Sequence, residues 1–233
     1  LLVEKKEFYD TRLDRIEDRP STKGQYMNHQ KFIARFLSSY TPYTGLLIMH
    51  EPGTGKTCLS VAVAEQIRRE RTDLKHALVL MGRRLIPNYI DELANVCTDG
   101  EYLPKDTENL TEMQIKLRTR RLINSFYEIS SLDKFVNRIN FLSDAVIRKT
   151  YSNHVIVIDE AHNLRRHDHH TSKLYRGIHR FLHIVENCKI LLLTGTPMKD
   201  RPYEIADIMN LLLPIDKQMP IGEDFMNEFM DKQ

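Results

Sequence analysis

The 233-residue chain is 41% hydrophobic and 28% charged, with a formal net charge of +2, so it can bury a full core and sits in the ordinary globular range. Its longest apolar runs, such as residues 190–193 (ILLL), exclude a bilayer-spanning helix, and its charge balance neither demands nor excludes nucleic acid, which answers to local clusters of Lys and Arg. Cys58, Cys97 and Cys188 are far apart with no Cys-x-x-Cys pair, which suggests neither a disulfide framework nor a zinc site and points to a reducing compartment, the cytoplasm.

In chain order, residues 1–25 read as a charged N-terminal extension and residues 26–233 as one domain. Residues 46–49 (LLIM), 77–81 (ALVLM), 155–158 (VIVI) and 190–193 (ILLL) are apolar without alternation, as strands buried on both faces are. Between them run helical periods at Leu59/Val63/Ile67, Ile86/Tyr89/Ile90/Leu93, Phe135/Ile139/Leu142/Val146 and Leu174/Ile178/Phe181/Leu182/Val185. Two further helical patterns follow at Ile205/Ile208/Leu212 and Phe225/Phe229. Strand alternating with helix predicts an α/β fold, a mostly parallel sheet with helices on both faces. Residues 99–125 are the least patterned. Their basic run, Lys116, Arg118, Arg120 and Arg121, reads as a solvated face.

Residues 50–57 (HEPGTGKT) follow the first strand and open a helix, the context of a phosphate-binding loop. Gly53, Thr54 and Gly55 let backbone N–H groups wrap a phosphate at a helix N-terminus. Lys56 then reaches the β- and γ-phosphates of ATP, and Thr57 offers its hydroxyl to Mg2+. The third strand ends in Asp159-Glu160-Ala161-His162, at the strand ends where open α/β sheets bind ligands. Asp159 is expected to hold Mg2+ and Glu160 to polarise the attacking water. The fourth strand ends in Thr194-Gly195-Thr196-Pro197; the hydroxyls of Thr194 and Thr196 are expected to bond His162 and couple nucleotide state to another face. His167, His169 and His170, preceded by Arg165 and Arg166 and with no cysteine near, read as a solvated loop.

The order of loop, DEAH box and Thr-Gly-Thr-Pro resembles superfamily 2 helicases, and more narrowly their Swi/Snf-like viral branch. Poxvirus-type early transcription factor small subunits and nucleoside triphosphate phosphohydrolase I belong to that branch. His50, residues 155–165 (VIVIDEAHNLR) and residues 194–214 (TGTPMKDRPYEIADIMNLLLP) carry the likeness, which covers residues 26–229. The resemblance implies a RecA-like P-loop lobe that binds ATP and Mg2+ and acts on DNA or RNA, in partnership with a second RecA-like lobe and viral transcription machinery. It places the protein in host cytoplasm or virion. It assigns Gln30 to the adenine edge, and Arg83 and Arg84 to nucleic-acid phosphates on a loop where Gly82 replaces a proline. Ser130 and Ser131 stand where such motors keep a backbone contact, although Ser131 also suits a helix cap. The chain starts without Met and stops after a helical pattern, so it reads as a fragment without the second lobe. A ring-forming ATPase lacks support, for no arginine sensor or ring-interface motif is found; an ATP-switched docking module with little turnover is the alternative.

Overall fold

The computed structural model describes residues 25–51, 53–166, 169–198 and 201–230, with the backbone alone for His169 and His170. Five parallel strands form one sheet: β1 (Gly45–Met49), β2 (His76–Met81), β3 (Tyr127–Ser131), β4 (His154–Ile158) and β5 (Lys189–Thr194). Their order is β1-β5-β4-β2-β3. The apolar runs explain the middle of this order. All of β4 is buried, and β2 and β5 are nearly so, whereas the edge strands β1 and β3 are only partly covered.

Helices cover both faces, and the strand period divides the core between them. Ala77, Val79, Met81, Val155, Val157, Leu191 and Leu193 face α1 (Asn28–Phe36), α2 (Lys56–Glu70) and α3 (Ile86–Glu92). Leu78, Leu80, Ile156, Ile158 and Leu192 face α5 (Leu132–Ile139), α6 (Asp144–Tyr151), α7 (His169–Ile184) and α8 (Glu204–Met209). Of the remaining helices, α4 (Glu112–Asn124) precedes β3 and α9 (Glu223–Phe229) follows α8. No described helix is long and apolar enough to cross a membrane.

Four expectations need correction. The single helical period over residues 135–146 is two helices. Ser143 accepts the Val146 N–H as the cap of α6, and Val146 is exposed. β3 is a strand that no apolar run announced, because an edge strand needs to bury only part of its length. His169 and His170 open α7 rather than lying in a loop, while His167 is outside the described residues. Cys58 and Cys97 form a disulfide: they are 39 residues apart in sequence, but the fold sets the first turn of α2 beside the π-helical turn Leu93–Cys97 that ends α3. Closing a loop of that length is worth about 4 kcal/mol of unfolded-chain entropy. The compartment inferred from unpaired cysteines therefore loses its basis.

Gly177 of α7 marks a close helix contact beneath the sheet, because a Cβ there would lie 2.6 Å from Val136 Cγ1 of α5. Alanine in a helix interior is favoured over glycine by about 1 kcal/mol, but overpacking a filled core costs about 1–3 kcal/mol. Gly177→Ala is expected to destabilise the chain in urea unfolding. In a Val136→Ala background the same change is expected to stabilise it; stabilisation in both backgrounds would contradict the close packing.

Candidate functional site

Because β5 lies between β1 and β4, the residues following these three strands meet at one end of the sheet. The His50 N–H donates to the Thr194 carbonyl at 3.0 Å, and the Asp159 N–H to the Leu80 carbonyl at 2.8 Å. Gly53 and Gly55 hold φ of +82° and +78°, which curls the loop before α2 and is open to glycine without strain. Gln30 fixes the loop from α1: its Nε2 donates to the Gly55 carbonyl at 3.1 Å and its Oε1 accepts the Met27 N–H at 2.9 Å. A Cβ on Gly55 would come within 2.8 Å of that Nε2. Thr54 Oγ1 donates to the Glu51 carbonyl at 2.7 Å.

Lys56 Nζ crosses the end of β5 to Glu160 Oε1 at 2.9 Å. Glu160 stands at φ +53°, a left-handed conformation uncommon for a residue with a side chain. Its other oxygen, Oε2, lies 3.1 Å from His162 Nδ1, which is also 3.0 Å from Thr194 Oγ1. His162 Nδ1 and Thr194 Oγ1 are within hydrogen-bonding distance of each other, and the direction of that bond is set by the imidazole tautomer. Thr194 Oγ1 accepts the Thr196 N–H at 3.2 Å. Lys56, Glu160, His162, Thr194 and Thr196 thus form one connected polar chain. Asp159, beside it, accepts the Glu160 N–H on Oδ1 at 2.9 Å, and its carboxyl is pushed above the usual range by burial and then by the Glu160 charge, against the pull of Lys56.

Arg83 and Arg84 are exposed on a short 3-10 turn, Arg83–Leu85, at the same end of β2. Gly82 before them holds φ −64° and ψ 135°, values a proline would also take. Ser131 has the backbone of an N-cap but makes no side-chain cap bond to α5, which corrects its expected capping role. Ser60 and Tyr89 were not singled out by sequence reasoning as polar groups. Ser60 Oγ donates to the Thr57 carbonyl at 2.7 Å and lies 2.9 Å from Tyr89 Oη, both residues being buried. The only signal in the sequence was Tyr89 within an otherwise apolar period.

The SNF2-related domain family matches residues 29–231. The chain belongs to the SNF2-related family. A protein named as a helicase from Invertebrate iridescent virus 3 is 40% identical over 89% of this chain, and one from Frog virus 3 is 37% identical over 87%. The SNF2-related chain spans only 22% and 21% of those two relatives. Among solved structures, the Sulfolobus solfataricus SWI2/SNF2 ATPase core in complex with dsDNA aligns with 91% of this chain and 40% of its own at a TM-score of 0.58 and 18% identity. The two share the RecA-like α/β architecture.

This SNF2-related site fits a nucleoside triphosphate and a divalent cation. Open space surrounds a Cβ built on Gly53, the loop amides precede a 15-residue helix, and an ammonium stands beside two carboxylates. Among the described residues no three His, Cys, Asp or Glu side chains group to hold a metal.

The His162 imidazole is held below its ordinary value of 6.5, first by burial and then by Arg165 and Lys56, with Glu160 opposing. A folded-state value below the unfolded one means that protonation, setting in as pH falls below about 6.5, costs stability. Ring-proton NMR is expected to find His162 titrating below 6.5, and lower still in Glu160→Gln, which removes the raising charge. A higher value in that variant would contradict the arrangement.

Proposed function

We propose that residues 26–233 are the first of two RecA-like lobes of a motor that couples ATP hydrolysis to movement on DNA or RNA. The observation that carries this reading is the Lys56–Glu160 ion pair with its continuation through His162 to Thr194. A γ-phosphate entering the loop competes with Glu160 for Lys56. Glu160 is then released to accept a proton from, and orient, the attacking water, while Lys56 neutralises phosphate charge. Thr57 and Asp159 would hold Mg2+, which supplies charge neutralisation across the phosphate oxygens when bound. The same change at Glu160 alters its bond to His162, and so reaches Thr194 and Thr196. In this proposal Gln30 faces the adenine, and Arg83 and Arg84 contact backbone phosphates. The finer role we propose is viral transcription in host cytoplasm or virion; residues 155–165 and 194–214 carry the likeness behind it, and the two relatives named as helicases come from viruses.

Lys56→Ala is expected to abolish most Mg·ADP affinity in calorimetry, whereas Glu160→Gln keeps nucleotide and loses turnover. Unchanged binding in Lys56→Ala would sink the assignment. Replacing Arg83 and Arg84 together is expected to weaken nucleic-acid binding across sequences and reduce its salt slope by up to roughly one unit per lost contact. An unchanged slope and affinity would make them ordinary surface charges.

Arginines from a second lobe are worth about 10³–10⁵ in turnover for this class of chemistry. The 233-residue chain is therefore expected to bind ATP but hydrolyse it slowly, and a longer chain carrying the following lobe to hydrolyse it fast when nucleic acid is added. Vigorous stimulated turnover by the short chain would overturn the two-lobe proposal.

A further inference from the structure

Two links join the start of α2 to α3. One is the hydrogen-bonded series from Tyr89 through Ser60 to the Thr57 carbonyl. With the Ser60 hydroxyl donating to Thr57, the Tyr89 hydroxyl donates to Ser60. The other is the Cys58–Cys97 disulfide, which directly follows Lys56 and Thr57 in sequence and holds the two Cα atoms 5.0 Å apart. The loop that precedes this turn has no covalent restraint of its own and depends on Gln30 and Thr54 for side-chain bonds. The first turn of α2 is thus fastened to α3 and its π-helical end, which directly follow the Arg83–Leu85 turn.

We propose that Cys58 and Cys97 form a reversible thiol–disulfide site whose closure preorganises Lys56 and Thr57 for nucleotide, and whose exchange partners are small-molecule thiols and disulfides. The affinity half of this proposal rests on the nucleotide reading given above. Access selects the reacting sulfur: Cys58 is half-buried and Cys97 is 1% exposed. On opening, an incoming thiolate attacks Cys58 Sγ, the Cys58–Cys97 bond breaks, and Cys97 leaves as a thiolate that takes a proton from water. A second external thiolate then attacks the mixed disulfide, releasing Cys58 and one external disulfide. Two electrons pass from two external thiols to the protein pair. Closure is the reverse: Cys58 thiolate attacks an external disulfide, and Cys97 thiolate displaces the external thiol from Cys58. Cys188, buried under Tyr151 and Glu186 with its thiol pushed up by burial, is outside this exchange.

The test treats the 233-residue chain with glutathione disulfide or with dithiothreitol. Maleimide labelling in denaturant with intact mass is expected to count one thiol in the first state and three in the second. Hydrogen exchange of the amides of residues 56–60 is expected to quicken on reduction, and Mg·ADP affinity to fall about five- to tenfold, the cost of re-ordering one or two side chains. Cys97→Ser should hold the weaker value in both buffers, and the unsubstituted chain in the two buffers keeps the comparison available if that variant folds poorly. Three thiols in both buffers, or full conversion with unchanged exchange and affinity, would overturn the proposal. Faster exchange on reduction in a chain that binds Mg·ADP in neither state would leave the thiol–disulfide clamp on α2 standing, refute its effect on affinity and count against the nucleotide reading itself.

Discussion

The position of β5 between β1 and β4 is the constraint on which the rest of the structure depends. All five strands run the same way, so every strand carries its polar continuation to one end of the sheet. Only this order sets residue 194 between residues 50 and 159, leaving Lys56 to span the end of one intervening strand to reach Glu160. A parallel sheet buried on both faces also leaves its strand ends as the place where polar side chains can gather without cost to the core. The polar chain from Lys56 to Thr196 follows from that geometry as much as from the identity of its members.

The helix behind the loop is held firmly. α2 is buried around most of its circumference, including Ser60 and Glu65. A carboxylate this deep is costly unless it is bonded, and Glu65 Oε1 accepts the Tyr102 and Tyr127 hydroxyls at 2.6 and 2.8 Å while Oε2 lies 3.3 Å from Arg68. Burial and the Glu65 charge push both phenols up, so both remain donors. α2 is thereby tied to β3 at the far edge of the sheet and to residue 102 in the segment before α4.

Much of this was legible in the sequence where chemistry and burial coincide. Central strands must be apolar on both faces, so residues 77–81, 155–158 and 190–193 announced themselves, and loops that follow such strands carry recognisable Gly, Lys and Asp-Glu patterns. β3 was illegible as a strand because YEISS lies at the edge and buries two of its five residues fully. The disulfide was illegible because sequence spacing says nothing of distance across a helix pair. Tyr89 fits the 86–93 period as an ordinary member and Ser60 and Glu65 fall between the apolar positions of the 59–67 period, so only the packed neighbours reveal what their polar atoms meet. The 135–146 period was read as one helix because a capping serine after residue 142 does not disturb apolar spacing.

Behind the carboxylate box, Arg165 reaches Glu204 at 2.6 Å, and Arg166 binds Asp207 through its backbone N–H at 3.0 Å and its Nε at 2.9 Å. Asp207 is buried and Arg166 lies over the Tyr175 ring. These two arginines therefore tie the segment after the carboxylate box to α8. Loss of Asp207 takes the carboxylate from a partly buried Arg166 guanidinium, and a lysine at 166 gives up the planar fork aimed at Asp207. A change at 166 therefore calls for a matching change at 207, which makes the segment after the box and α8 one packed unit.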